Sequence, residues 1–173
     1  GIEDSKPLIA KFYRPNRWSA QQSIEEHQLS LELAGHELPV VAPLRNSNGE
    51  SLFQYHNFMF SLYPQQGGHA PEFDNLDNLL ILGRMLGRMH RIGAVKPFQY
   101  RPVLDCASFG HASVALIGEQ FIPSEYRESY RILTGQLLQK IEQALSDAGQ
   151  VRFIRTHGDC HSGNILWRDN APH

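Results

Sequence analysis

The sequence predicts an α+β chain in two unequal parts, and three observations carry that reading. Short apolar runs separated by turn residues crowd the first third, around a single helical stretch. Two long segments with apolar residues at helical spacing fill most of the remainder. Near the end, a strand–loop–strand pattern brackets a run dense in His, Asp, Gly and Asn. The 173 residues suffice for about one domain with a sizeable core, and 41% apolar with 20% charged residues is a globular composition.

In chain order, Leu8 to Tyr13 reads as a strand ended by Arg14-Pro15. Ser19 opens a helix, because Ser19 and Gln22 have capping-box spacing, and Gly35 is a natural terminator. Val40 to Leu44, Ser51 to Tyr55 and Asn57 to Tyr63 read as short strands, with turns at Asn48-Gly49 and Gly67-Gly68. A second helix is predicted over 75–92, with Leu79, Leu82, Leu86 and Met89 on its apolar face. Gly83 and Gly87, one turn apart, would admit a closely packed neighbour. A third helix over 124–148 carries Leu133, Leu137, Ile141, Ala144 and Leu145 at helical spacing. Val151 to Thr156 and Ile165 to Arg168 read as strands around the loop His157 to Gly163, and Asp169-Asn170 as a turn.

Several function classes are excluded or disfavoured at this level. A net charge of -2 gives no electrostatic case for nucleic acid or an anionic membrane. No apolar run approaches the roughly 18 residues of a membrane span. Gly1-Ile2-Glu3-Asp4 lacks the basic region that begins a signal peptide. Cys106 and Cys160 stand in no CxxC pair or zinc-finger spacing, which fits a reduced, cytoplasmic protein better than a disulfide.

The sharpest chemical signal is His157-Gly158-Asp159-Cys160-His161-Ser162-Gly163-Asn164. Kinase catalytic loops place an Asp after His-x and an Asn five residues later. Asp159 and Asn164 have that separation. The Asp orients the attacking hydroxyl or accepts its proton, and the Asn carbonyl reaches a magnesium ion on the nucleotide phosphates. Upstream, Leu8-Ile9-Ala10-Lys11 places a cation on a strand, as contact with the α- and β-phosphates requires. Lys11 needs a carboxylate on the following helix, and Glu25 and Glu26 compete for the role. Glu25 shares a polar arc with Gln21, Gln28 and Glu32. Glu26 lies beside the stripe of Leu29 and Leu33, where an inward carboxylate needs a cationic partner, so Glu26 is the candidate.

The decapeptide His157 to Leu166 resembles the H-G-D-x-H-x-x-N-I-L loop of the aminoglycoside phosphotransferase and choline kinase superfamily. Leu82 to His90 resembles that superfamily's helix before the substrate region. Lys11-Phe12-Tyr13-Arg14-Pro15-Asn16-Arg17-Trp18 and His157 to Arg168 are most similar to its bacterial stress-response serine/threonine kinases, and the likeness covers nearly the whole chain. The resemblance implies a protein-kinase-like bilobal fold, truncated at both ends. The lobes would be a partial β-rich lobe over 1–64, a connector over 65–74 and a partial helical lobe over 75–173. It implies ATP and Mg2+ as cofactors, Asp159 as the catalytic residue and Lys11 with Glu26 at the phosphates. Phe60 to Pro64, with Ser61 and Tyr63, would serve as the adenine hinge, and Asn164 as a metal ligand. His161 is implied either as a structural residue or as one near the substrate.

The acceptor implied is a protein Ser/Thr hydroxyl, with a small-molecule alcohol as the alternative, and the intact protein is expected to be a cytoplasmic monomer. No glycine-rich loop precedes Lys11, and a second metal-binding Asp is expected beyond His173, so the chain as given is expected to be inactive alone. Asp169 is too close to Asn164 to take that role. Two rival readings stand beside the kinase: a metal-dependent hydrolase using His157, Asp159 and His161, and a noncatalytic module.

Overall fold

The computed structural model describes residues 6–173, and Gly1–Asp4 lies outside them. The described residues form two compact units, one of residues 6–101 with Ile154–His173 and the other Pro102–Phe153. Among the described residues no helix is long and apolar enough to cross a membrane.

The larger unit is built on an antiparallel sheet of order β1-β3-β2, with β1 at Leu8–Phe12, β2 at Phe53–Tyr55 and β3 at Phe58–Pro64. Its register sets Lys11 opposite Ser61. The expected strand over Val40 to Leu44 is absent: Pro39 and Pro43 remove ladder donors, and the segment meets β3 through a single bond from Leu44 N to Leu62 O at 2.8 Å. Helix α1, Ala20–Gly35, starts at the expected capping box. Gln22 N donates to Ser19 Oγ at 3.2 Å, and Ser19 N donates to Gln22 Oε1 at 2.9 Å. Leu29 and Leu33 on its inner face join Leu38 and Met89 in a buried cluster.

Helix α2, Leu76–Gly93, is capped by Asn75 and contributes Leu82 and Met89 to the core. Leu82 packs with Ile165 and Trp167, which ties α2 to the C-terminal segment. Gly83 and Gly87 face open space, so among the described residues no element makes use of the close approach they would admit. The glycine that matters is Gly93, where any side chain would collide with the backbone carbonyl of Arg155. That close approach also explains why Val151 to Thr156 is not a strand: Arg155 N donates to Gly93 O at 3.2 Å, so the segment pairs with a helix end instead of a sheet edge. The second expected strand shortens to β4, Trp167–Arg168, paired with β5, Ala171–Pro172. Asp169 and Asn170 connect them at φ 53° and 58°, the double positive-φ turn that Asp and Asn tolerate.

The smaller unit opens with a π-helical turn, Cys106–His111, which runs into α3, Ala112–Gln120; neither was expected from the sequence. A 3₁₀ turn at Ser124–Tyr126 leads into α4, Arg127–Asp147. Within α4 the buried residue is Leu138, whereas Leu133, Leu137, Ile141 and Leu145 remain exposed. The periodicity located the helix correctly, but the face packed within this unit is the one next to it.

Candidate functional site

Strand β1 and helix α1 bring Lys11 and Glu26 together, with Nζ 3.2 Å from Oε1. The other carboxylate oxygen of Glu26 takes a bond from Arg101 Nη1 at 2.7 Å. The Arg101 guanidinium stacks on the Trp18 ring, 4.3 Å from its centroid. Burial alone would raise the Glu26 carboxyl, but Lys11 and Arg101 outweigh it and hold the group below its ordinary range. Glu25 points elsewhere. Its carboxylate accepts from the backbone N–H groups of Gln99, Tyr100 and Arg101, the last two at 2.8 Å each. Burial pushes Glu25 up, and those three donors turn the shift downward. The two adjacent glutamates thus divide the work: Glu26 faces Lys11, and Glu25 fixes the turn that delivers Arg101.

Beneath Lys11 a sealed polar cluster joins β1, α1 and β3. His27 Nε2 meets Tyr13 OH at 2.7 Å and Ser61 Oγ at 3.3 Å, and its Nδ1 meets Ser51 Oγ at 2.9 Å. His27 and Ser61 are fully buried, so each must find its partners within the protein. Burial holds His27 below its ordinary pKa, in the neutral form. Burial and Tyr13 together push the Tyr63 phenol far up. The Tyr63 ring lies 6.0 Å from Lys11 Nζ and the Tyr13 ring 5.1 Å.

These contacts revise the expectation for Phe60 to Pro64. Ser61 and Tyr63 lie inside β3 and face β1 in register, and the Ser61 side chain is closed off from solvent. β1 runs alongside Phe60 to Pro64, whereas β2 pairs only as far as Phe60, and beyond it the outer side of β3 takes the bond from Leu44 N to Leu62 O. The segment that follows is open: Gln66 and Gly67 make no backbone hydrogen bond among the described residues, and nothing approaches within 4 Å of a Cβ placed on Gly67. The connector is stapled further on, where His69 N donates to Trp167 O at 3.1 Å and Trp167 N to His69 O at 2.7 Å.

Asp159 and Asn164 are joined directly. Asn164 Nδ2 donates to Asp159 Oδ2 at 3.0 Å and to the Asp159 carbonyl at 2.8 Å. The amide nitrogen being spent there, Asn164 Oδ1 is the atom left for a cation. Gly158 takes φ 79°, a turn that a side chain would strain. His157 Nδ1 accepts from Asp159 N at 3.3 Å, and His161 Nδ1 accepts from Gly163 N at 3.1 Å, so both histidines hold the loop's own backbone. This disposes of the alternating-strand geometry that the hydrolase reading needs. Among the described residues, His157, Asp159 and His161 form no metal-ligand cluster.

Arg155, buried at the entrance to this loop, is the residue that sequence reasoning missed. It grips Glu32 of α1 with two bonds, at 2.8 and 3.1 Å, and donates to the Ile92 carbonyl at 3.2 Å. Those bonds hold the Glu32 carboxyl well below its ordinary range. A cavity of about 220 Å³ lies alongside, lined in part by Ser30, Leu33 and Val40 on one side and by His157, Cys160 and Asn164 on the other. Helix α1 therefore presents Glu26 to Lys11 and, one turn later, Ser30 to the cavity it shares with the loop.

A family model described as the phosphotransferase enzyme family matches residues 1–173. The chain belongs to that family. It is 39% identical over 170 residues to a protein named serine/threonine protein kinase RdoA from Salmonella typhimurium, and 39% identical over 168 residues to stress response kinase A from Escherichia coli. Each match takes in 96% of this chain and 50% of the relative, so the chain spans about half the length of the curated relatives it matches. Among solved structures, an amicoumacin kinase in complex with AMP-PNP and Ca2+ superposes with TM-score 0.68 at 19% identity, over 98% of this chain and 52% of that one. A spectinomycin phosphotransferase in its AMP-bound complex gives TM-score 0.59 at 15% identity, over 98% of this chain and 58% of that one. The fold is thus kinase-like α+β, as the sequence predicts, and the comparisons give the hydrolase reading no support.

Proposed function

We propose that this phosphotransferase-family chain carries the phosphate-binding and proton-accepting groups of an ATP-dependent kinase acting on a hydroxyl. The observation that carries the reading is the 3.2 Å pair between strand Lys11 and helix Glu26, in the same chain as an Asp159 locked to Asn164. Lys11 would lie along the α- and β-phosphates, with Glu26 and Arg101 fixing its position. Asp159 would accept the proton of the attacking hydroxyl as its oxygen bonds to the γ-phosphorus and the bond to the ADP oxygen breaks. Asn164 Oδ1 is an oxygen donor of the type magnesium takes, and that ion, when bound, neutralises phosphate charge. The open backbone of Gln66 and Gly67, one step past the expected hinge strand, would receive the adenine edge. We assign the lobe boundary to the same 65–74 connector.

For the acceptor, the names of the 39%-identical relatives support a protein Ser/Thr hydroxyl. Two free cysteines support a reducing, cytoplasmic setting. The test is transfer from labelled ATP with Mg2+ in the full-length protein, offered a generic protein substrate and, separately, a polyhydroxylated small molecule. Label on the protein that disappears in Asp159→Asn supports the reading. Label only on the small molecule moves the acceptor to the other class, and undiminished transfer by the Asp159 variant overturns the mechanism.

A further inference from the structure

We propose that Cys106, His111 and Glu142, in the Pro102–Phe153 unit, form a site for a borderline-soft divalent ion of the zinc class. The site would clasp the π-helical turn to α4.

One ligand atom from each of the three residues lies within 4.8 Å of the other two, and no other such cluster of three exists among the described residues. His111 Nε2 and Glu142 Oε1 are already 2.7 Å apart. The local fold explains the convergence. Cys106 and His111 begin and end the π turn, whose i→i+5 bonding returns the chain over its start. Such turns are uncommon and concentrate at functional positions. Asp105 fixes where the turn begins by accepting from Ser108 N at 2.8 Å. Gly110 lets it seat closely, because a Cβ there would stand 2.7 Å from Leu138 Cδ2 and 3.3 Å from Cys106 Sγ. Glu142 follows Leu138 by four residues on α4, so seating the turn on Leu138 brings Glu142 under His111.

The donor set decides the class of ion. A thiolate, an imidazole and a carboxylate are the ligand types of zinc, and three protein ligands leave a fourth, water-filled position. Magnesium and calcium prefer oxygen throughout, so sulfur and nitrogen here select against the ion that Asn164 suits. A zinc ion about 2.0–2.3 Å from each donor needs them closer together than 4.8 Å. His111 and Glu142 are about half exposed and free to make the small rotations required. On binding, the Cys106 thiol gives its proton to solvent, and the ion replaces the His111–Glu142 hydrogen bond.

The site is tested with Co2+ titrated into the nucleotide-free, full-length protein, followed by competition with Zn2+. A thiolate-to-cobalt charge-transfer band that saturates at one equivalent and is displaced by Zn2+ is expected. The band should vanish in Cys106→Ser, persist in Cys160→Ser, and need at least about tenfold more metal in His111→Ala. Absence of the band in the parent protein, its survival in a folded Cys106→Ser variant, or its loss with Cys160→Ser would each overturn the proposal. The Cys106 substitution is close to isosteric, and an unchanged circular dichroism spectrum shows that a lost band is not a lost fold.

Discussion

Glu26 reaches Lys11 across 15 residues of sequence and Arg101 across 75, whereas Asp159 and Asn164 are joined across five. The lysine end of the candidate site is thus assembled by tertiary structure, on a sealed base of His27, Tyr13 and Ser61. The aspartate end is a self-contained loop held by bonds among its own residues, exposed to solvent and anchored behind by Arg155. A loop that builds its own geometry advertises itself in sequence, as His157 to Asn164 does. A pair built by packing advertises only its endpoints.

The contrast makes its largest prediction at the lysine. Lys11→Met removes the cation proposed to lie along the phosphates, while Arg101 stays on Glu26. It should lower transfer by about 10²–10³-fold, on the scale of a lost transition-state donor, and weaken ATP binding as well. Steady-state kinetics with ATP varied would show both changes. An effect on KM alone would reduce Lys11 to a simple binding charge.

Arg155→Ala should cost stability more than chemistry. Removing it takes the two-pronged partner from Glu32, which keeps Lys96 at 3.6 Å, and the donor from the Ile92 carbonyl, and a lost hydrogen bond to a charged group costs about 1.5–3 kcal/mol. Chemical denaturation would register that loss. A change below about 1 kcal/mol would mean that the loop does not depend on its anchor to α1.

The same comparison orders the response to acid. His27 has a depressed folded pKa, so its stabilising contribution is complete above about pH 6.5 and declines as pH falls below that value. The carboxyls of Glu26 and Glu32 are depressed from the ordinary carboxylate range, so their contributions hold above about pH 4.3 and fail only below it. Denaturation midpoints between pH 7 and 3 should therefore fall in two stages, and His27→Gln should flatten the first. A single stage that survives His27→Gln would place the acid sensitivity elsewhere.

Smaller effects should follow from the brace. Arg101→Ala should reduce transfer only several-fold, because Lys11 still holds one oxygen of Glu26. Cys160→Ala should leave transfer unchanged, since Cys160 makes no hydrogen bond in the loop it occupies.

The legible parts of the molecule were the local ones. The α1 capping box, the Asp169-Asn170 turn and the octet around Asp159 each depend on residues within a few positions of one another. Glu26 was separable from Glu25 because one lies beside the Leu29–Leu33 stripe, yet the partner of Glu25 is backbone 74 or more residues away, which no spacing rule reaches. Arg155 was invisible for the same reason: it reads as one charge in a strand-like run, and its meaning comes from Gly93 and Glu32. The π turn escaped because its i→i+5 spacing imitates neither helix nor strand periodicity. On α4 the apolar period was real but named the wrong face, since periodicity reports which side is apolar and not what lies against it.

In the proposed mechanism the two ends have separate duties, Lys11 holding phosphate and Asp159 receiving the proton. ATP affinity and γ-phosphate transfer, measured on the same full-length samples of parent and Asp159→Asn protein, test it most directly. Affinity within about twofold of the parent is expected, with transfer reduced about 10²–10⁴-fold, the usual worth of a positioned general base. Transfer within a few-fold of the parent, or affinity lost in parallel with transfer, would contradict it.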